Sequence, residues 1–305
     1  MSSTKEIKSR IKSIKDTQKI TNAMYLISST KMRKAKSELD QTRPYFNALR
    51  EEIKRIFRTV KDLESQYFYP VNRDDFVNGT YGLLVITADK GLAGAYNMSV
   101  IKETMRLYND HEDCKIYVVG EYGRQYFRRH NIPIEENFYY SDQNPTLDEA
   151  REITSLLLDR YLAGDLKKIF VIYTDILNNV ESKAVSTRLL PFHREYFDSA
   201  KESTEQKVKN EFEFFPSVLD VLESVIESYL HGFIYGALID SFCSEQNSRM
   251  NAMSQANTNA DNILGDLSIE YNRVRQSAIT QEITEVSAGA KAQKQKRRKR
   301  MKKWL

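Results

Sequence analysis

Ser244-Glu-Gln-Asn-Ser-Arg-Met-Asn-Ala-Met253, running on to Tyr271-Asn-Arg-Val-Arg-Gln-Ser-Ala-Ile-Thr-Gln-Glu-Ile-Thr-Glu285, commits the C-terminal part of the chain to one long helix. It contains no proline, and its one glycine is Gly265. Apolar residues return every three or four positions, at Met250, Met253, Ala260, Leu264, Leu267, Tyr271, Val274 and Ala278. A 3.5-residue period held this long describes a helix wound around another helix. The first sixty residues supply the partner. One register runs through Ile7, Ile11, Ile14, Gln18, Thr21, Tyr25, Ser28, Met32, Ala35, Leu39, Thr42, Phe46, Leu49, Ile53, Ile56, Val60 and Leu63. Thirteen of those seventeen positions are apolar, which makes it a seam rather than a coincidence. At ~1.5 Å per residue such a helix reaches roughly 85 Å, far beyond a small domain. Pro44 predicts a kink or local irregularity. The C-terminal helix, from about Pro216 to Gly289, is longer still.

Two stripes fall off the seam. Ile20, Met24 and Ile27 recur at helical spacing where the N-terminal seam turns polar, between Gln18 and Ser28. Ile279, Ile283 and Val286 do the same near the other end. Apolar stripes on the outside of a coiled coil predict a further partner, because solvent-facing apolar patches are rarely left bare.

Between the helices the period changes. Tyr81–Thr87, Lys115–Val119 and Lys168–Tyr173 read as buried strands, with Lys183–Leu190 a further strand at an edge. Helical segments fall near Asn97–Asn109, Tyr122–His130 and Thr146–Ala163. The alternation predicts a mostly parallel sheet with helices packed on it. The fold class is therefore α/β: a long antiparallel coiled coil of N- and C-terminal helices plus a Rossmann-like α/β globular domain. The expected divisions are residues 1–63 for the N-terminal helix, 64–215 for the α/β domain, 216–290 for the C-terminal helix and 291–305 for a basic tail.

Charge is unevenly placed along the 305 residues, whose net value is +4. Residues 1–61 carry sixteen Lys/Arg against six Asp/Glu, and residues 291–305 carry nine Lys/Arg and no acid. The middle is left at −15. So basic a helix expects an acidic neighbour, and the tail, with like charges this dense, is expected to be disordered or projecting. Two distant cysteines, Cys114 and Cys243, fit a reducing compartment. No signal-peptide core and no membrane-length apolar run is read, so a membrane is reached only through partners.

Chemistry is hard to find. Thr87-Ala-Asp-Lys-Gly-Leu-Ala-Gly94-Ala-Tyr-Asn97 could bring backbone amides of Gly91 and Gly94 to a phosphate, yet it lacks both the Gly-x-Gly-x-x-Gly and the Gly-Lys-Ser/Thr signatures. The glycines read better as a tight strand-to-helix turn. His111, His130, His193 and His231 are scattered, with no nucleophile–base pair and no metal-ligand spacing. No catalytic residue, cofactor or metal is expected.

Three segments together resemble the gamma subunit of F-type rotary ATP synthases. They are Ile7–Met24 with Ser29–Arg33, then Ile86–Asn97, then Glu245–Gly289. Order and helix–domain–helix layout match over about residues 3–290. The resemblance implies a central rotor shaft, non-catalytic itself, in a ring of three alpha and three beta subunits. The α/β domain would sit on the membrane c-ring beside the epsilon subunit, at the cytoplasmic face of the cell membrane. Ion-driven rotation would be coupled to ATP synthesis or hydrolysis on beta. Carried over residue by residue, Lys19, Ile20 and Met24 would face an acidic beta loop. Arg275 and Gln276 would bond a second beta loop, with Thr280 and Glu285 further along. Glu245 and Arg249 would couple the two shaft helices, and Phe212 and Glu213 would belong to the rotor-ring foot. The chain departs from the family at Ala88 and Lys90, at Gln246-Asn247, in the more polar end Ser287 to Gln293, and in its basic tail. A gamma paralogue of a specialised rotary ATPase is one alternative. A basic coiled coil binding nucleic acid and a nucleotide-dependent enzyme are the others; on the rotor reading no nucleic acid is expected.

Overall fold

The computed structural model describes residues 4–59, 65–69, 79–111, 113–176, 182–193 and 214–301. Its elements run α1 Thr4–Thr59, β1 Tyr81–Ile86, α2 Tyr96–Asp110, β2 Cys114–Val119, α3 Glu121–Arg129, α4 Leu147–Leu162, β3 Lys168–Ile176, β4 Ser182–Leu190 and α5 Val218–Met301. By contacts the chain forms two units, one of residues 26–252 and one of 1–25 with 253–305.

In the 26–252 unit the four strands lie in the order β2-β1-β3-β4. β1 pairs parallel with β2 and with β3, so Leu83 stands beside both Ile116 and Phe170. β4 closes the edge antiparallel to β3. A strand paired on both sides and covered on both faces must be apolar throughout, and Leu83, Leu84, Val85 and Ile86 are all buried. Alternation then sorts them between two cores. Leu83 and Val85 join Ile116, Val118 and Ile172 under Val100 and Ile101 of α2 and Phe127 of α3. Leu84 and Ile86 join Tyr117, Val119 and Val171 under Ile153 and Leu157 of α4, together with Leu222, Ile226, Leu230 and Ile234 of α5 and Leu39 and Ile53 of α1.

Local chemistry sets the turns. Gly120 has φ +89°, and a Cβ there would stand 2.1 Å from the Thr87 carbonyl oxygen, so only glycine lets β2 turn into α3 beside β1. Thr146 caps α4 by accepting the Glu149 amide at 3.2 Å, the first half of a capping box. Ser217 caps α5 by accepting the Asp220 amide at 3.1 Å.

Within this unit α1 and α5 run antiparallel. Cys243 Sγ lies 3.8 Å from the Met32 carbonyl, and the Phe46 and Tyr235 rings are 6.4 Å apart. Gly232 leaves the room that the Phe46 ring fills, since a Cβ would stand 1.9 Å from it. α1 stays helical through Pro44.

The other unit is an antiparallel pair of helix segments. Gln18 Nε2 donates to Asp261 Oδ1 at 2.7 Å, and one turn further along α1, Thr21 and Asn22 both bond Asn257. The polar part of the seam is thus a set of cross-helix hydrogen bonds, a device that fixes register at some cost in stability. Apolar positions on either side are buried, at Ile7, Met253 and Leu267. From Arg275 onward every described side chain of α5 is exposed, and the helix runs unbroken through the basic run to Met301. The part of the expected tail that is described is thus helical. Lys, Arg, Gln and Ala are all strong helix formers, which favours continuation.

Candidate functional site

The expected contact residues separate into three environments. On α1, Lys19 and Ile20 are exposed, Ile20 at 62%, and Lys19 makes a 3.1 Å surface pair with Asp16. Met24 behaves differently. It is half-buried in the seam, while Tyr25, the seam residue expected from a strict period, is 36% exposed. The buried or half-buried positions run Ile7, Ile11, Ile14, Gln18, Thr21, Met24 and Ser28, so two successive three-residue steps shift the register. Met24 is thus more covered than Ile20 and Ile27, which are well exposed, as is Leu26 beside Ile27.

On α5, Arg275, Gln276, Thr280 and Glu285 are all exposed. Thr280 Oγ1 donates to the Gln276 carbonyl at 2.9 Å, and Glu285 Oε1 accepts from Gln281 Nε2 at 3.1 Å. The helix thus orders their neighbours and leaves the Arg275 guanidinium to solvent. Ile279, Ile283 and Val286 lie exposed on the same segment.

Glu245 and Arg249 are buried and face a third setting. Arg249 forms an i,i+4 ion pair with Glu245, and its Nη2 donates to the carbonyl oxygens of Gly91 at 3.1 Å and Lys90 at 3.4 Å. The pair ties α5 to the loop between β1 and α2, and the charge of Lys31 on α1 also acts on Glu245. Burial raises the Glu245 carboxyl above its ordinary range, and Arg249 offsets part of that. The Lys90 and Gly91 carbonyls of this loop thus face Arg249.

Sequence reasoning missed the rest of this joint. Asp142 Oδ1 accepts the Asp89 amide at 2.8 Å, and Asp89 in turn accepts the Glu121 amide at 3.1 Å and the Ser141 hydroxyl at 2.5 Å. Asn97 Oδ1 accepts the Ala88 amide at 2.9 Å. Ser241 Oγ accepts the Thr174 amide at 3.2 Å, joining β3 to α5. Burial pushes the Asp142 carboxyl up to about 8, with the nearby Glu245 charge adding to it. No spacing rule brings Asp89 and Asp142 together, because they lie on different loops. Phe212 and Glu213 fall outside the described residues. Among the described residues no cluster of three or more His, Cys, Asp or Glu could hold a metal ion, and no helix is long and apolar enough to cross a membrane.

Two long antiparallel helical segments with an α/β domain inserted between them define the class of this protein. Comparison with known proteins takes the assignment further. The ATP synthase family model matches residues 3–293. The ATP synthase gamma chain of Ruminiclostridium cellulolyticum is 38% identical over 289 residues, covering 94% of this chain and 98% of the relative. The sodium ion specific ATP synthase gamma chain of Acetobacterium woodii is 32% identical over 299 residues, covering 94% and 97%. Among solved structures, the central stalk and c-ring of the Tetrahymena thermophila mitochondrial ATP synthase contains a chain of like fold. It superposes with a TM-score of 0.58 at 24% identity, over 78% of this chain and 99% of that one. The chain belongs to the ATP synthase gamma-chain family.

Proposed function

We propose that this chain is the central rotor shaft of an F-type ATP synthase, transmitting ion-driven rotation to the nucleotide sites of beta subunits. The observation that carries the reading is the far segment of α5. Its described side chains are exposed from Arg275 on, yet Ile279, Ile283 and Val286 form an apolar stripe along it. A stripe of that kind on a helix that has outrun its own partner calls for a surrounding protein. A ring of three alpha and three beta subunits fits it, with the epsilon subunit and membrane c-ring at the α/β domain.

In this reading the shaft is non-catalytic, and residues 1–63 and 216–290 form it around the domain of residues 64–215. Ile20 and Ile27 meet an acidic beta loop, and Lys19 beside them supplies charge. Met24 supports that face from within the seam. Arg275 suits a hydrogen-bonding catch on beta, because its planar fork offers paired donors to a carboxylate. Thr280 and Glu285 extend the contact, and Phe212 with Glu213 contribute to the foot on the membrane ring. The complex sits at the cytoplasmic face of the cell membrane, and the membrane ring selects proton or sodium.

Co-expression with cognate alpha and beta subunits tests this. One copy per three alpha–beta pairs, with ATP turnover dependent on its presence, is the expected result. A chain that elutes apart from alpha and beta, leaving turnover unchanged, removes the reading.

A further inference from the structure

Two long helices pack on the sheet of the 26–252 unit, and they grip it differently. α1 meets the core through Ala35, Leu39, Ile53 and Ile56, all apolar. Apolar packing is non-directional, and it fixes roll and slide less sharply than hydrogen bonds, which weaken steeply off axis. α5 adds bonds of that directional kind. Ser241 Oγ accepts the Thr174 amide at 3.2 Å, and Ser244 Oγ donates to the Thr174 carbonyl at 3.5 Å. Both backbone groups of one β3 residue are thus held from one helix. Further along, Arg249 Nη2 donates to the Gly91 carbonyl at 3.1 Å and the Lys90 carbonyl at 3.4 Å. Glu245, between the two anchors, holds the guanidinium through their ion pair. Ser241, Ser244, Glu245, Arg249 and Thr174 are all buried, where such bonds are strengthened by the low dielectric.

We propose that Ser241, Ser244 and Arg249 form a key that locks the α/β domain to α5 against roll and slide, so that α5 rather than α1 carries turning force out of the domain. Geometry supports this in two ways. The residues fall on one face of α5, at i, i+3 and i+8, with Glu245 beside them at i+4. They also reach two different parts of the sheet, β3 at Thr174 and the loop after β1 at Lys90 and Gly91. From Ser241 to Arg249 the helix rises ~12 Å, so the two anchors act as a lever that a single contact would lack. A twist of the domain therefore pulls on both anchors at once. α1 follows α5 through their mutual packing, in which the Phe46 ring fills the space left by Gly232 and lies near Tyr235. These are positioning residues, remote from any reacting group. The lock rests on contacts within the 26–252 unit alone, whereas its force-carrying role rests on the rotor reading above.

Electron-spin distance measurement on the full-length chain tests the lock. Spin labels go in as unnatural amino acids at two exposed positions, Lys102 of α2 and Asn251 of α5, leaving Cys114 and Cys243 in place. Ser241→Ala with Ser244→Ala removes two of the four bonds, so the variance of the distance should roughly double. Arg249→Met with Glu245→Gln removes the other two without stranding a buried charge, and should broaden the distribution likewise. Leu39→Ala on α1 is the control: it cuts only apolar packing, and should lower the melting temperature while the variance stays put. In the assembled complex both key variants should pump fewer ions per ATP hydrolysed, and Leu39→Ala should not. An unbroadened distribution in both key variants, equal broadening in Leu39→Ala, or broadening with pumping per ATP unchanged would each overturn the proposal. Failure of the rotor reading looks different. The unaltered chain would then neither assemble nor support pumping, which removes the force-carrying role, and the distance measurement would still decide the lock.

Discussion

Helix α5 serves two regions with opposite physics. Between Leu222 and Arg249 it is part of a core: six consecutive residues, Ser241 to Gln246, are buried. A helix achieves that only when covered on every side. Beyond Met253 it keeps one narrow buried seam, at Met253 and Leu267, and after Val274 it keeps none. The first region carries its polar groups inside: Ser241, Ser244 and Arg249 bond the α/β domain, and Glu245 bonds Arg249 and Gln246 of the helix itself. The second carries polar groups across the seam, at Asn257 and Asp261, and its unmatched apolar groups outside. Burial therefore reports where the chain satisfies itself, and exposed apolar stripes report where it does not.

The sharpest way to break the contrast is Arg249→Ala. It leaves Glu245 buried without its cation, so stability in denaturant should fall by about 3–5 kcal/mol. Adding Glu245→Gln should recover part of that loss; no recovery would mean that Arg249 acts by packing alone. Ile226→Ala follows, since Ile226 is fully buried and truncation leaves a cavity, at a cost of roughly 2–5 kcal/mol.

A smaller effect concerns Asp240, whose carboxyl burial pushes up to about 6, with Asp175 adding to it and Arg43 opposing it. A folded value above the unfolded 3.8 favours the protonated form, so this group costs stability progressively as pH rises from about 4 to about 6. Asp240→Asn should remove that decline, matching the unaltered chain near pH 4 and exceeding it at pH 7 in thermal melts. Smallest in the isolated chain is Ile283→Ser, on the exposed stripe, where stability should stay within about 0.5 kcal/mol. Its effect should appear instead in the assembled enzyme, as lowered ATP-driven ion pumping at a given turnover.

Much of this fold is legible in the residues. Apolar runs such as Leu83 to Ile86 mark strands covered on both faces, and the seam of α1 is visible from Ile7 to Ile56. The slip at Met24 is not legible, because Tyr25 is as apolar as Met24 and a strict 3.5 period prefers it. Only cross-helix bonding at Thr21 and Asn22 decides between them. The joint is less legible still. Arg249 and Glu245 stand out as polar residues on a long helix, but nothing in their spacing says which neighbour they meet. Asp142 lies in Ser141-Asp-Gln-Asn-Pro145, which reads as an ordinary polar turn. Its burial comes from tertiary closure of that turn over Asp89 and α5.

Rotation is the most direct test of the central claim. The assembled complex would be fixed to a surface through its beta subunits, with a bead attached to the α/β domain of this chain. On addition of ATP the account predicts one-directional turning of the bead with three dwells per revolution. A bead that stays still while the same complexes hydrolyse ATP would contradict it.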